Sequence, residues 1–303
     1  MNMKIDPELI HWPRWSKYEI VTTKEYKRYI RPCEDAQALC MNAITNKEAL
    51  VIDAVNVGMM VLGQKDETVI EKAVLDFVHR HGLLGIMTAL PNAPDYMEYE
   101  ITFLPKNRFI RERYMKTDAY QKIFFPFHDL QQMRAKIDQE PEWGNPESFL
   151  NWQMMIRQSD QPKSVMMTAL KEYAEPYEWV VDQFKDWAYM VSCCYFFYKN
   201  GIIEDAELRL SLQDGMEAYG GVTPSYIILL RDKPILWWHF HSLHQCIHLS
   251  LSFMLADEKT PLRMCKWCKK LYISQADEHW FCSEKCKTTF DENERRLAHL
   301  LPR

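Results

Sequence analysis

Four of the nine cysteines fall between Cys265 and Cys286, in the stretch CKWCKKLYISQADEHWFCSEKC. Their spacing is Cys265-x2-Cys268, thirteen residues, then Cys282-x3-Cys286. A CxxC pair can turn tightly enough to put both sulfurs on one ion, with backbone N–H groups facing the thiolates. The second pair is spaced i, i+4, so one helical turn aims both sulfurs the same way. Four thiolates fill a tetrahedral sphere and leave no position for water, so the pattern predicts one structural Zn2+ held by Cys265, Cys268, Cys282 and Cys286 rather than a hydrolytic centre. An odd cysteine count and an N-terminus, MNMKIDPELIHWPRW, with no signal-peptide core point to a reducing, cytoplasmic setting, where clustered thiols mean metal rather than disulfide.

Lys266, Lys269, Lys270, Lys285 and Lys287 lie among or beside these cysteines, interleaved with Trp267, Tyr272 and Trp280. Lysines beside aromatics suit phosphates and exposed bases, and these five are the candidate nucleic-acid contacts. The competing reading is a solvated surface whose aromatics pack on the rest of the chain, with the acids of ADE and DENE repelling a phosphate backbone. His241, His244 and His248 fall on one side of a helix and, with His239 nearby, could form a second metal or acid–base site; without a carboxylate at ligand spacing before Asp257 they read better as a polar strip bordering the apolar face. Cys193-Cys194, in an aromatic helix, read as core, as do the Trp12/Trp15 and Trp237/Trp238 pairs. HExxH, Walker A, GxGxxG and GxSxG are absent, and no catalytic residue is assigned.

The elements that must position these residues are mainly helical. The 303 residues can bury a sizeable core, and 47% apolar with 26% charged residues is ordinary for a folded protein. Nine glycines, against a usual share of roughly 7%, leave few sites for phosphate-cradling loops. Residues 46–62 carry apolar groups at helical spacing, with Asn46 as cap. A second helix follows, with Thr68 and Glu71 at capping-box spacing, a stripe of Val69, Ile70, Ala73, Val74, Phe77 and Val78, and Gly82 as its stop. YEITFLP (99–105) and QKIFFPF (121–127) read as strands. Helices resume over 128–218, including a long one interrupted near Pro176 and ending at Gly201. Residues 224–240 read as a β-hairpin turning at Arg231, Asp232 and Lys233, and a helix then leads through Thr260-Pro261 into the cysteines. There, KKLYIS should be a strand, EHWF its returning partner, and Ser283 the start of the last helix. Knuckle, hairpin and a helix carrying two ligands make a treble clef. The fold class expected is therefore α+β, mainly α-helical, with a C-terminal zinc-binding treble-clef finger. The divisions expected are an N-terminal α+β region at 1–127, a mostly helical region at 128–260 and the finger at 261–303. The longest apolar stretch, WAYMVSCCYFFY at 187–198, is too short for a membrane span.

Charge is distributed unevenly. Residues 259–303 hold ten Lys/Arg against six Asp/Glu, a balance of +4 that leaves −9 for residues 1–258 of a chain whose net charge is −5. Zinc with four thiolates adds −2, so the tail is mildly basic and the remainder acidic.

LRMCKWCKKLYISQADEHWFCSEKCKTTF resembles the C-terminal finger of bacterial CGNR-like zinc-finger proteins, in which a mostly helical region precedes a finger whose third ligand sits in a WCS or FCS context. LDFVHRHGLLGI (75–86) resembles a phrase of their N-terminal regions. In this chain the first cysteine pair is closer than in typical members, and CKTTFDENERR stands where they carry Cys-Gly-Asn-Arg. The resemblance implies a DNA-binding transcriptional regulator with the four cysteines as zinc ligands. On that expectation the N-terminal region is a sensing or interaction module, open to a small-molecule ligand or a protein partner. A second expectation is a protein-interaction factor in which the finger is only a structural clamp. A third is an enzyme using the His241/His244/His248 strip.

Overall fold

The computed structural model describes residues 11–42, 47–138, 163–199, 203–217, 225–230, 234–256, 262–274 and 280–300. Asn46, Gly201, Arg231, Asp232, Lys233 and Thr260-Pro261 lie outside the described residues.

The first described residues form strands that the periodicity of the sequence does not announce. β1 (His11–Trp15) pairs antiparallel with β4 (Ala38–Asn42), from His11 opposite Asn42 to Trp15 opposite Ala38. Between them β2 (Tyr18–Thr22) and β3 (Arg28–Pro32) form a hairpin, with Ile20 opposite Ile30. The turn joining them needs a left-handed residue, which Tyr26 supplies at φ 60°.

Helices α1 (Lys47–Leu62) and α2 (Glu67–His81) follow and pack on each other. The stripe on α2 is buried at Ile70, Val74, Phe77 and Val78, whereas Val69 is exposed. Gly82 closes the helix at φ 87°. The capping box is corrected: the helix begins one residue before Thr68, Asp66 precedes it without a side-chain cap, and the Glu71 carboxylate is taken by Arg28 of β3 at 2.9 Å. Arg28 also binds Glu67 and Glu178, at 2.9 and 2.8 Å, and its guanidinium lies over the Tyr177 ring. A network of this kind, with bidentate capacity, holds strand to helices better than an isolated surface pair.

The next elements are short: α3 (Ile86–Ala89), and the β5 (Ile101–Phe103) and β6 (Tyr114–Lys116) pair. The strand expected over 99–105 is present as β5. The strand expected over 121–127 is not: its first half belongs to helix α4 (Thr117–Phe124), whose buried residues Thr117, Tyr120, Gln121 and Phe124 repeat at i, i+3, i+4 and i+7. That helical face outweighs the β propensity of the aromatic run. α5 (Leu130–Asp138) and α6 (Lys163–Thr168) precede the two-residue strand β7 (Glu175–Pro176), which adds to β3. Here the long helix is interrupted as expected, because the residue before proline is driven into extended backbone. α7 (Tyr177–Tyr189) then runs into a π-helical segment, Met190–Tyr195, and α8 (Phe196–Lys199).

α1 and α7 cross closely. A Cβ built on Gly58 would lie 1.9 Å from the Phe184 carbonyl oxygen and 2.7 Å from the Ala188 Cβ. In an exposed helix Gly→Ala stabilises by about 1 kcal/mol. Here the added methyl meets backbone, so Gly58→Ala should destabilise by about 3 kcal/mol, read as a lowered midpoint in thermal or urea unfolding.

α9 (Ala206–Glu217), the hairpin β8 (Ser225–Leu230) with β9 (Pro234–His239), and α10 (Leu243–Ala256) complete the body. The hairpin and the helix agree with the sequence pattern. One buried apolar cluster runs from Tyr18 through α1, α2, α4, α7 and α10 to Leu262 and Leu271. The last elements are β10 (Leu262–Met264), β11 (Leu271–Ile273) and α11 (Glu284–Leu300). Among the described residues, no helix is long and apolar enough to cross a membrane.

Candidate metal centre

The first cysteine pair sits at the tip of a hairpin. β10 and β11 pair antiparallel, Leu262 opposite Ile273 and Met264 opposite Leu271, so KKLYIS contributes the expected strand. Its partner precedes the cysteines. The returning strand expected at EHWF is corrected, since Trp280 and Phe281 are not in a strand and Glu278 and His279 lie outside the described residues. Leu262 alternates with Met264 before the turn, and burying Leu262 and Leu271 in the main core favours this register. At the tip Cys265 N–H donates to the Lys270 carbonyl at 2.9 Å, and Lys269 N–H to the Cys265 carbonyl at 3.0 Å. Closing so tight a turn leaves Lys269 left-handed at φ 60°.

The second pair reaches the first through two local devices. Lys266 N–H donates to the Trp280 carbonyl at 3.0 Å, tying the incoming chain to the tip. Ser283 caps α11 as expected, its Oγ accepting from Cys286 N–H at 3.3 Å. Phe281 and Phe290 rings meet 5.2 Å apart and brace the first turns of the helix.

The result is convergence. The four sulfurs lie within 4.8 Å of one another, with Cys268–Cys282 and Cys282–Cys286 both at 3.6 Å. An ion bonded to four sulfurs at about 2.3 Å has a tetrahedral edge of about 3.8 Å, so the donor set fits a tetrahedral thiophilic metal. Cys265 is fully buried and Cys282 exposed. Burial pushes the Cys265 thiol up, but N–H groups of Cys282, Cys268 and Trp267 outweigh it and bring the group down to about 6. Burial and the neighbouring sulfurs push Cys282 up to about 12. One sulfur is thus prepared as a thiolate by the backbone, while four together need a cation to ionise.

Beside the burial of Leu262 and Leu271, a side chain of α1 fastens the hairpin to the body. On α1, the Asn56 amide donates Nδ2–H to the Leu271 carbonyl at 3.1 Å and accepts Leu271 N–H on Oδ1 at 2.7 Å. Asn56→Ala should therefore leave both β11 groups unsatisfied, destabilising the attachment by roughly 1–3 kcal/mol. Faster amide exchange at 262–273, with α2 and α7 unchanged, is the expected reading.

All five candidate lysines, Lys266, Lys269, Lys270, Lys285 and Lys287, are exposed, and none forms an ion pair among the described residues. Lys266 Nζ lies 4.3 Å over the Trp280 ring and the Arg263 guanidinium 5.4 Å from it. Trp267 and Trp280 are 37% and 50% exposed. Tyr272, between them, is half-buried.

Of the histidines, His241 is buried, while His244 and His248 are half-buried and stack on each other. The His241 N–H is bonded to Gln245 Oε1 at 2.8 Å and its carbonyl to Thr88 Oγ1 at 2.6 Å. The His244 ring lies 5.3 Å from Trp187 and stacks on His248 at 5.9 Å, and Trp187 Nε1 donates to His248 Nδ1 at 3.4 Å. Burial, then the charges of His248 and Arg108, lowers His244 to about 3, so it is neutral near pH 7. Among the described residues the cysteines are the one group of three or more His, Cys, Asp or Glu whose ligand atoms converge. Cys194 and Cys246 are buried, the latter pushed up to about 12 by burial, as packing thiols.

Sequence reasoning did not identify Glu175. The HGLLGI phrase folds around its fully buried carboxylate: Leu84 N–H donates to Oε2 at 2.9 Å, Ile86 N–H to Oε1 at 2.8 Å and Tyr173 Oη–H to Oε1 at 2.7 Å. Gly82 at φ 87° and Gly85 at φ 70° permit that concave backbone. Its place is structural, joining α2, β7 and α10, where His244 N–H reaches the Leu84 carbonyl at 2.7 Å.

Comparison with protein-family models, curated proteins and solved structures finds no match to the chain.

Proposed function

We propose that the chain is a cytoplasmic nucleic-acid-binding regulator, with DNA as the first expectation. Its C-terminal treble-clef finger is built on one Zn2+ held by Cys265, Cys268, Cys282 and Cys286, and the acidic region before it senses or binds a further ligand. The observation that carries this reading is a convergent four-sulfur cluster surrounded by five exposed lysines, none of which forms an ion pair among the described residues. Lys269 strengthens it. At φ 60° glycine would serve with less strain, a side chain there costing about 1 kcal/mol, and the Lys269 Nζ–H donates to the Lys266 carbonyl at 2.8 Å, which holds a cation beside the first cysteine pair.

Salt titration tests it. Contacts by up to five lysines should give log Kd rising against log salt with a slope of as much as about 4.5 on duplex, lowered by about 1 in Lys269→Gly, whose metal content should hold or improve. The Asn56–Leu271 link and the burial of Leu262 and Leu271 favour a second reading, a finger that serves as a structural clamp for a protein-interaction factor. On that reading nucleic acid is not bound at any salt, and Lys269→Gly is silent.

A further inference from the structure

We infer that the metal end of the finger takes single-stranded nucleic acid, stacking an unpaired base on Trp267 while the lysines around it hold the phosphates. This rests on the nucleic-acid reading and specifies its substrate class.

The distribution of charge along α11 carries the argument. Lys266, Lys269, Lys270, Lys285 and Lys287 all lie at the hairpin tip or in the first turn of the helix. Glu284 shares the first turn with Lys285 and Lys287, where the lysines still outnumber it, and from Asp291 the helix turns acidic, with Glu292 and Glu294 exposed before Arg295 and Arg296. A helix rises about 1.5 Å per residue, so these carboxylates begin about 6 Å beyond Lys287. A helix lying along a major groove would bring them against phosphates on either side. A single strand crossing only the tip avoids them.

The aromatics differ in a way that fits the same polymer. Trp280 is already engaged, its ring faced by Lys266 and Arg263 and its carbonyl bonded to Lys266 N–H. It fixes cations in place. Trp267, two residues before the left-handed Lys269, enters no ring or cation contact among the described residues, although it is an indole held on a turn by metal-ligand neighbours. At 37% exposed its ring is only partly covered, which leaves part of it open to a ligand. In duplex, base faces are covered by their neighbours; in a single strand they are open to stack on a side chain, independently of sequence.

Full-length zinc-loaded protein, titrated by fluorescence anisotropy with labelled oligothymidine, oligouridine and a mixed-sequence duplex of equal length, gives the test. Both single strands should bind at least about tenfold more tightly than duplex, and their ratio identifies the natural polymer. Trp267→Ala and Trp267→Leu should each weaken single-strand binding about tenfold, Trp267→Phe should retain most of it, and metal content should stay at one per chain in all three. Polyglutamate, which offers charge without bases, should compete poorly. Duplex binding as tight as single-strand binding, full affinity in the leucine variant, or displacement by polyglutamate as effective as by oligonucleotide overturns the inference. In the first two cases the nucleic-acid reading stands. Absence of binding to every oligonucleotide at low salt overturns both.

Discussion

Stripping the metal should unfold residues 262–274 and 280–300 while the helical body persists. The segment has little core of its own. Leu262, Cys265 and Leu271 are buried, but most side chains described from Trp280 to Arg296 are exposed or only half-buried. Zinc binding of on the order of 10–16 kcal/mol in finger peptides is larger than anything the Phe281–Phe290 contact or the Ser283 cap could replace. Elemental analysis of the native protein should find one zinc per chain. Chelation, or Cys265→Ser, should then release amide protection across α11 and β11 and reduce helicity by roughly that helix. The body should lose a smaller amount, because Leu262, Leu271 and the two bonds to Asn56 leave its core together. Since the ligands must ionise, metal retention should weaken as pH falls. A metal-free protein whose α11 stays protected would show that the sulfurs converge for packing reasons alone.

The cysteines were legible because the geometry they need is local. Two residues between sulfurs make a turn, and three make one helical turn, wherever the rest of the chain goes. The same holds for α1, α2 and α10, whose apolar spacing is strong and whose stop at Gly82 is explicit. What was not legible depends on distant partners. β1 to β4 are five residues each with weak alternation, and β3 is completed by Glu175 and Pro176 from the middle of the chain. The aromatic run near Phe124 looks extended until the core that receives Tyr120 and Phe124 is known. EHWF and LRM compete to pair with LYI, and the choice falls to the strand whose leucine enters the body. The histidine strip has helical spacing either way, and only the structure shows that no third ligand atom converges on it among the described residues.

Glu175 is the extreme case of this dependence, since its backbone donors lie about ninety residues earlier in the chain. Glu175→Ala should destabilise the protein by on the order of 4 kcal/mol: Leu84 N–H, Ile86 N–H and the Tyr173 hydroxyl lose their acceptor inside the core, each costing about 1–3 kcal/mol, with some recovered by relaxation. Glu175→Gln should also destabilise, because its amide donors would point at N–H groups that are themselves donors. The two variants differ from wild type in pH dependence as well. Burial raises the carboxyl above its ordinary 4.5, against the pull of Ile86 N–H, Tyr173 and Leu84 N–H. The folded state therefore binds the proton more tightly than the unfolded chain. This group's contribution to stability is fullest below 4.5 and declines as pH rises through the interval up to the folded value. Denaturant unfolding at a series of pH values should show that decline in wild type and a flatter profile in Glu175→Gln. Equal stability of the glutamine variant near pH 7 would mean that the HGLLGI turn is held by something other than the carboxylate it encloses.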